Sequence, residues 1–190
     1  MIFLPAPKVK GEISLEEAIA QRRSKRDFLD KPLTLTQLSQ ILWAAKSVPS
    51  AGGLYPLEIY VVVGENGREN LKAGVYHYLP EKHAVEIGKS GDLRHELAQA
   101  ALGQYFIAEA PITLVIAAEH ERTTGKYGQR GIRYVHIEVG HVGENIYLQA
   151  ETLGLGTVAV GAFNDEEVSQ VLNLPENYKS LYIMPIGYPR

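Results

Sequence analysis

The 190-residue sequence contains no cysteine. That absence excludes a disulfide scaffold, a zinc finger, a thiolate-held iron–sulfur cluster and a cysteine nucleophile. Long apolar runs are lacking as well. The longest, Ile59 to Val63 and Ile112 to Ala118, fall far short of the roughly 20 residues of a membrane-spanning helix. The opening Met1-Ile2-Phe3-Leu4-Pro5 has no basic region and is broken by Pro5, so it does not read as a signal peptide. A cytoplasmic protein with no membrane partner is expected. Charge of one sign is also scarce: 19 basic and 22 acidic side chains leave a net −3. Such a balance does not suit a surface built to wrap nucleic acid, and no nucleic-acid partner is expected.

Several motifs are missing. There is no phosphate loop of the G-x-x-x-x-G-K-[ST] type and no G-x-S-x-G nucleophile elbow. Gly154-Leu155-Gly156-Thr157-Val158-Ala159 carries the letters of a dinucleotide fingerprint, but it follows a helical pattern and enters a strand, the reverse of the required order. Six histidines raise the question of a metal. His136 and His141 share one helical segment, yet five residues turn the chain by about 140°, so they face apart. Glu138 and His141 can meet at i, i+3, which fits an ordinary polar pair better than a ligand set. No metal site is assigned.

What remains is a chain of single-domain length, residues 1–190, with 45% hydrophobic residues to fill a core. Ser14-Leu15-Glu16-Glu17 and Thr34-Leu35-Thr36-Gln37 are capping boxes that open two helices. Leu15, Ala18 and Ile19 form an apolar stripe on the first; Leu35, Leu38, Ile41, Leu42 and Ala45 do so on the second. Leu57 to Val63 and Ile112 to Ala118 read as buried strands. Gly74 to Tyr78 and Ala84 to Ile87 flank a turn, which predicts a hairpin inserted outside the main core. Asp92 is placed to cap a helix with Leu93, Leu97 and Ala101. Val135, Val139, Val142, Ile146, Ala150 and Leu153 fall on one face of a helix over 131–153, with Gly154 suited to its end. Thr157 to Gly161 and Leu181 to Ile186 are strands, and Asn164 caps a short helix between them. The pattern predicts an α+β fold or a three-layer α/β sandwich.

Two local features carry chemistry. Arg22-Arg23-Ser24-Lys25-Arg26 packs four cations into five positions. Cations at a helix end complement the macrodipole, so a solvated terminus is one reading. The other is a phosphate clamp, in which forked guanidinium donors and a hydroxyl grip anionic oxygens. Pro49-Ser50-Ala51-Gly52-Gly53 is a loop of small residues that lets the backbone approach a flat ligand, or else a plain helix-to-strand connection.

In this order and spacing the two segments resemble the FMN-dependent nitroreductase family, and the similarity runs from about Ser14 to Arg190. The resemblance implies a three-layer α/β sandwich around a central, mostly antiparallel sheet. It implies that Arg22, Arg23, Ser24 and Arg26 hold the FMN phosphate and ribityl chain. Pro49, Ser50, Ala51, Gly52 and Gly53 reach the flavin, in many members from the partner subunit, which implies a homodimer. Val160, Gly161 and Ala162 pass the flavin ring, and Arg190 closes on the phosphate.

Within the family, Ser50-Ala51-Gly52-Gly53-Leu54-Tyr55-Pro56, the hairpin at 74–87 and Lys126-Tyr127-Gly128-x-Arg130 followed by Gly140-His141 are similar to the azoline dehydrogenases of the streptolysin S type. That branch oxidises thiazoline or oxazoline rings in peptides. Its Lys-Tyr pair matches Lys126 and Tyr127, the candidate catalytic residues; otherwise both belong to a polar loop over 119–129. The expected function is therefore an FMN oxidoreductase acting on a modified peptide or on a small molecule. The alternatives are an NAD(P)H-dependent nitro, quinone or flavin reductase, and a flavin-binding protein without turnover.

Overall fold

The computed structural model describes residues 1–65, 67 and 71–190. Its strands are β1 (Ile2–Phe3), β2 (Leu57–Val63), β3 (Gly74–Leu79), β4 (Ala84–Ser90), β5 (Ile112–Ala118), β6 (Gly156–Thr157) and β7 (Lys179–Gly187). Among the described residues they form one sheet in the order β1-β4-β3-β2-β5-β7-β6, with every neighbouring pair antiparallel. The helices are α1 (Leu15–Gln21), α2 (Leu35–Lys46), α3 (Arg94–Ala100), α4 (Phe106–Glu109), α5 (Glu121–Tyr127), α6 (Arg130–Thr152) and α7 (Asp165–Leu172).

The sheet is covered on both faces, which gives the α+β sandwich three layers. Leu57, Ile59, Val61 and Val63 alternate onto one face and pack with Leu38, Ile41 and Leu42 of α2 and Val135, Val142 and Ile146 of α6. Tyr60 and Val62 point the other way, toward Leu97 of α3, Ile107 of α4 and Val168 of α7. This two-sided burial is why β2 and β5 read as unbroken apolar runs rather than as alternating ones. Gly143 lets α6 approach β7 closely; a Cβ there would sit 3.2 Å from the Tyr182 ring.

The capping boxes form as the sequence predicts. Ser14 Oγ accepts from Glu17 N at 3.1 Å while Glu17 Oε2 accepts from Ser14 N at 2.8 Å. Thr34 and Gln37 repeat the exchange at α2. Asn164 Oδ1 accepts from the amides of Glu166 and Glu167.

Five expectations need correction. The hairpin at 74–87 is not carried outside the core: β3 pairs with β2 over Tyr60 to Val63, and Tyr76, Tyr78 and Val85 are core residues. Residues 119–129 are not a loop but contain α5. The strand foreseen at 157–161 shrinks to β6 plus one bridge from Val160 to Ile183. Asp92 stands one residue before the cap of α3, taking the Arg94 amide at 3.2 Å, with Leu93 at the cap itself. On α1 only Ala18 is buried; Leu15 and Ile19 are 60% and 56% exposed, because no described element covers that side of the helix.

Candidate functional site

The basic cluster begins where α1 ends, at its cap residue Arg22. From there the chain crosses to β6. Ser24 bridges in parallel with Thr157, and the Lys25 amide donates to Thr157 O at 2.9 Å. Gly156 makes room for this crossing, since a Cβ there would lie 2.8 Å from Lys25 Cβ. Tyr147 of α6 fastens the crossing. Its hydroxyl accepts from the Ala159 amide at 2.8 Å and lies 2.9 Å from Ser24 Oγ. The Arg22 guanidinium sits 5.1 Å from the Tyr147 ring centre, and that of Arg26 lies 6.0 Å from the Phe106 ring. Arg23 turns back onto the carbonyls of Ala20 and Arg22.

Among the described residues none of Arg22, Arg23, Lys25 and Arg26 pairs with a carboxylate; the ion pairs involve other cations. Four cations without a carboxylate partner there stand around an anchored serine, an arrangement that can seat an anion. Arg190 reaches the same edge, where its amide donates to Asp27 O. Its guanidinium is engaged by Asp27 Oδ1 at 3.0 Å and Phe28 O at 3.1 Å rather than left free.

Beside the seat runs the 158–163 segment. Val160 exchanges both backbone bonds with Ile183, at 2.8 and 3.0 Å, and is buried. The exposed Gly161 and Ala162 follow, and Gln104 Nε2 donates to Ala162 O at 2.9 Å. Among the described residues the amides of Gly161 and Ala162 have no internal acceptor, and both residues are exposed.

The small-residue loop lies elsewhere, between α2 and β2. Ser50 is its internal fastening: its hydroxyl donates to Glu138 Oε2 at 2.7 Å and accepts from the Tyr55 amide at 2.9 Å. Glu138, on α6, is only 3% exposed. Burial pushes its carboxyl above the ordinary range, and the Ser50 bond works against that rise. Pro49, Gly52 and Gly53 are exposed, with Ala51–Gly53 in a tight 3-10 turn. Lys126 and Tyr127, in the last turn of α5, meet this turn. A Cβ on Gly52 would lie 2.7 Å from Tyr127 Oη and 3.0 Å from Lys126 Nζ. Tyr134 packs edge-on against Tyr127, ring centres 5.1 Å apart.

The structure therefore gathers the predicted residues into two groups. Arg22, Arg23, Ser24, Arg26, Val160, Gly161, Ala162 and Arg190 form one; Pro49 to Gly53, Lys126 and Tyr127 form the other. Their anchors on α6, Tyr147 and Glu138, are nine residues apart. At ~100° and ~1.5 Å per residue this is half a turn in phase and about 13 Å in height. The groups thus flank opposite sides of one helix. Sequence reasoning did not find the anchoring roles of Tyr147, Glu138 or Gln104. The usable signal was polar residues set among the apolar period of α6. No cluster of metal-ligating side chains occurs among the described residues.

A family model described as the Nitroreductase family matches residues 19–188. A protein of Methanocaldococcus jannaschii named as a nitroreductase is 52% identical over 93% of this chain and 91% of its own length. The microcin B17-processing protein McbC of Escherichia coli is 30% identical over 67% of this chain, which spans about half of that protein, 48%. The crystal structure of a nitroreductase from Ralstonia eutropha superposes with a TM-score of 0.86 at 29% identity, covering 100% of this chain and 89% of that one.

Proposed function

The chain belongs to the nitroreductase family of oxidoreductases, and on that premise we propose that it is an FMN enzyme whose two sites form across a twofold dimer. The anion seat suits the FMN phosphate: forked donors from Arg22, Arg23 and Arg26 and the Ser24 hydroxyl have no competing carboxylate among the described residues. The exposed Gly161 and Ala162, whose amides have no acceptor among the described residues, leave donors for the acceptor atoms on the edge of a flavin ring. Bound FMN supplies hydride acceptance and return at its N5.

The two flanks of α6 favour a dimer. A ring held on the seat is screened from the same chain's Gly52 by the body of α6. A second copy brings its own loop to the seat. Leu15 and Ile19 on α1 and Ile132 and Ile137 on α6 are exposed, and they supply apolar surface for that contact.

Lys126 and Tyr127 then act on the substrate. In oxidation of an azoline ring in a peptide, one ring carbon would have to give up a hydride, the chemistry that bound FMN would supply. The neighbouring carbon loses a proton, and the Lys126–Tyr127 pair accepts it. Loss of hydride and proton together makes the ring aromatic, and turnover would require an external two-electron acceptor such as dioxygen. The observation that carries this reading is the placement of both side chains against Gly52, at the tip of the loop. The relative named for processing microcin B17 supports a peptide substrate. The relative named as a nitroreductase favours a second reading, reduction of a nitro or quinone acceptor by NAD(P)H, in which no protein base is needed.

The deciding experiment starts with the visible spectrum of the purified protein and the mass of the released cofactor, where FMN is expected. Arg26→Ala should weaken FMN by one to two powers of ten, roughly the worth of one charge-assisted contact. Single-turnover flavin reduction by a synthetic thiazoline peptide and by NADH follows, with wild type and Lys126→Ala. The first reading expects the peptide rate to fall about 10²–10⁴-fold in the variant, with the NADH rate unchanged. Reduction by NADH alone moves the assignment to the second reading.

A further inference from the structure

We infer that Arg122 is a positioning residue of this site: it holds the 50–56 loop and α5 in one fixed relation, so that Lys126 and Tyr127 stay against Gly52. The inference rests on the reading that these two side chains serve the reaction.

Apolar side chains do little to fix α5, although its backbone lies close against α6 at Gly131 and the Glu119 amide just before it donates to Pro56 O at 2.9 Å. Its sequence, Glu121-Arg122-Thr123-Thr124-Gly125-Lys126-Tyr127, offers no apolar stripe, and Thr123 is the only residue of the helix that is buried. Burial of apolar area, the usual means of docking a helix, is nearly absent. The Arg122 guanidinium takes its place. One fork nitrogen lies 2.6 Å from Glu58 Oε1 on β2 and donates to Tyr55 O at 3.1 Å. Nε meets Glu119 Oε2 at 2.5 Å, and the other fork nitrogen donates to the Tyr178 hydroxyl at 3.2 Å. A planar guanidinium with four partners fixes direction as well as distance, which an ammonium on a flexible stem does not.

The partners are themselves held. Glu58 Oε2 takes His77 Nε2 at 2.8 Å, and Glu119 Oε1 takes Asn177 Nδ2 at 2.9 Å. Burial raises the Glu58 carboxyl, but the bonds from His77 and Arg122 more than offset it and hold it below the usual range. The pair with Arg122 is therefore an ionic one at neutral pH.

The loop end of this strut shows why it is needed. Tyr55 has φ +45°, a left-handed conformation that a bulky residue rarely adopts without support. Its amide donates to Ser50 Oγ and its carbonyl accepts from Arg122. Arg122 thus ties the same turn that Glu138 holds through Ser50. Lys126 follows Arg122 by four residues, one helical turn along the same side of α5. A fork fixed on the loop and on β2 therefore sets the phase at which Lys126 and Tyr127 meet Gly52.

The test uses Arg122→Lys, which keeps a cation beside Glu58 but not the fork, in FMN-loaded full-length protein. Hydrogen exchange is followed in 50–56, in 121–127 and, as a check of the fold, in β5. The expected result is faster exchange in both segments by about fivefold or more with β5 unchanged, and FMN affinity within about twofold. Oxidation of a synthetic thiazoline peptide should fall about 10-fold in R122K but at most about twofold further when R122K is added to K126A, since a residue acting through Lys126 has nothing left to position. Unchanged exchange in either segment overturns the inference, and so does the same 10-fold loss in the K126A background. A K126A protein that oxidises the peptide at the wild-type rate sinks the proton-transfer reading instead, and the exchange data still decide on Arg122.

Discussion

Tyr127 leaves no room for a side chain on Gly52: its hydroxyl would stand 2.7 Å from a Cβ there. The helix end and the loop tip therefore touch directly, and the loop owes its closeness to the absence of one carbon. The neighbouring Gly53 has a similar φ, +66° against +64°, but open space around it.

Those two glycines separate strain from crowding. Gly52→Ala and Gly53→Ala should each lower stability by about 1–2 kcal/mol, because alanine disfavours positive φ. Only Gly52→Ala should also push Lys126 and Tyr127 aside. Thermal unfolding should shift alike in the two variants, while single-turnover oxidation slows about 10-fold in Gly52→Ala and within twofold in Gly53→Ala. Equal turnover in both would show that the contact has no bearing on the reaction.

Tyr147→Phe tests the fastening under the anion seat. It strips the Ala159 amide of its acceptor and frees Ser24. An unsatisfied, half-buried amide costs about 1–3 kcal/mol, visible in urea unfolding, and FMN titration of the apo-protein should weaken several-fold. Ser24→Ala removes an exposed hydroxyl and its bond to Tyr147 but leaves the Ala159 amide its acceptor. It should leave stability within about 0.5 kcal/mol and still weaken FMN.

Assembly can be tested by complementation. Light scattering should give twice 21.0 kDa. At FMN concentrations that fill only an intact seat, Arg26→Ala subunits should stay largely without FMN, and Lys126→Ala subunits should hold it without oxidising substrate. In a hybrid dimer the Lys126→Ala chain contributes an intact seat, and the Arg26→Ala chain contributes an intact Lys126 to that same seat. One working site per hybrid is expected. A hybrid as inactive as its parents would mean that Lys126 serves the seat of its own chain.

Glu58 makes acid stability a readout of the strut. Its native carboxyl is held below the unfolded value by His77 and Arg122. The unfolded chain therefore binds the proton first, and stability falls as pH drops through the ordinary glutamate range near ~4.3 toward the lower native value. Urea unfolding from pH 7 to pH 3 should show wild type losing its advantage over Glu58→Gln across that window, with a constant gap above it. A gap that persists unchanged at pH 3 would contradict an ionised Glu58.

Much of the fold was legible because its signals are local. Ser14, Thr34 and Asn164 announce helices within four residues, and β2 and β5 announce themselves by unbroken β-branched content. The pairing of β3 with β2 was not legible, since a hairpin looks the same whether or not a third strand lies beside it. α5 was hidden for the opposite reason: its placement depends on Glu58, Tyr55 and Tyr178, far away in sequence, and a polar segment carries no period. The exposed Leu15 and Ile19 obey a helical period that the single chain does not use. For the candidate site, the residue types proposed to meet a ligand stood out by composition. Glu138, Tyr147 and Arg122, which hold those residues, are ordinary letters until their partners are known.

Because α6 carries the anchors of both groups half a turn out of phase, its register becomes a quantity the molecule cannot adjust piecemeal. One residue inserted between Glu138 and Tyr147 would rotate one group against the other by ~100° and raise it by ~1.5 Å. Neither the arginine cluster nor the glycine turn could undo that from its own side. Insertions that follow Leu79 or Ser90 leave this phase untouched. In this chain a change in length is tolerated by place: α6 is a ruler, and its nine-residue interval sets the spacing of the two groups that the proposed dimer would bring together.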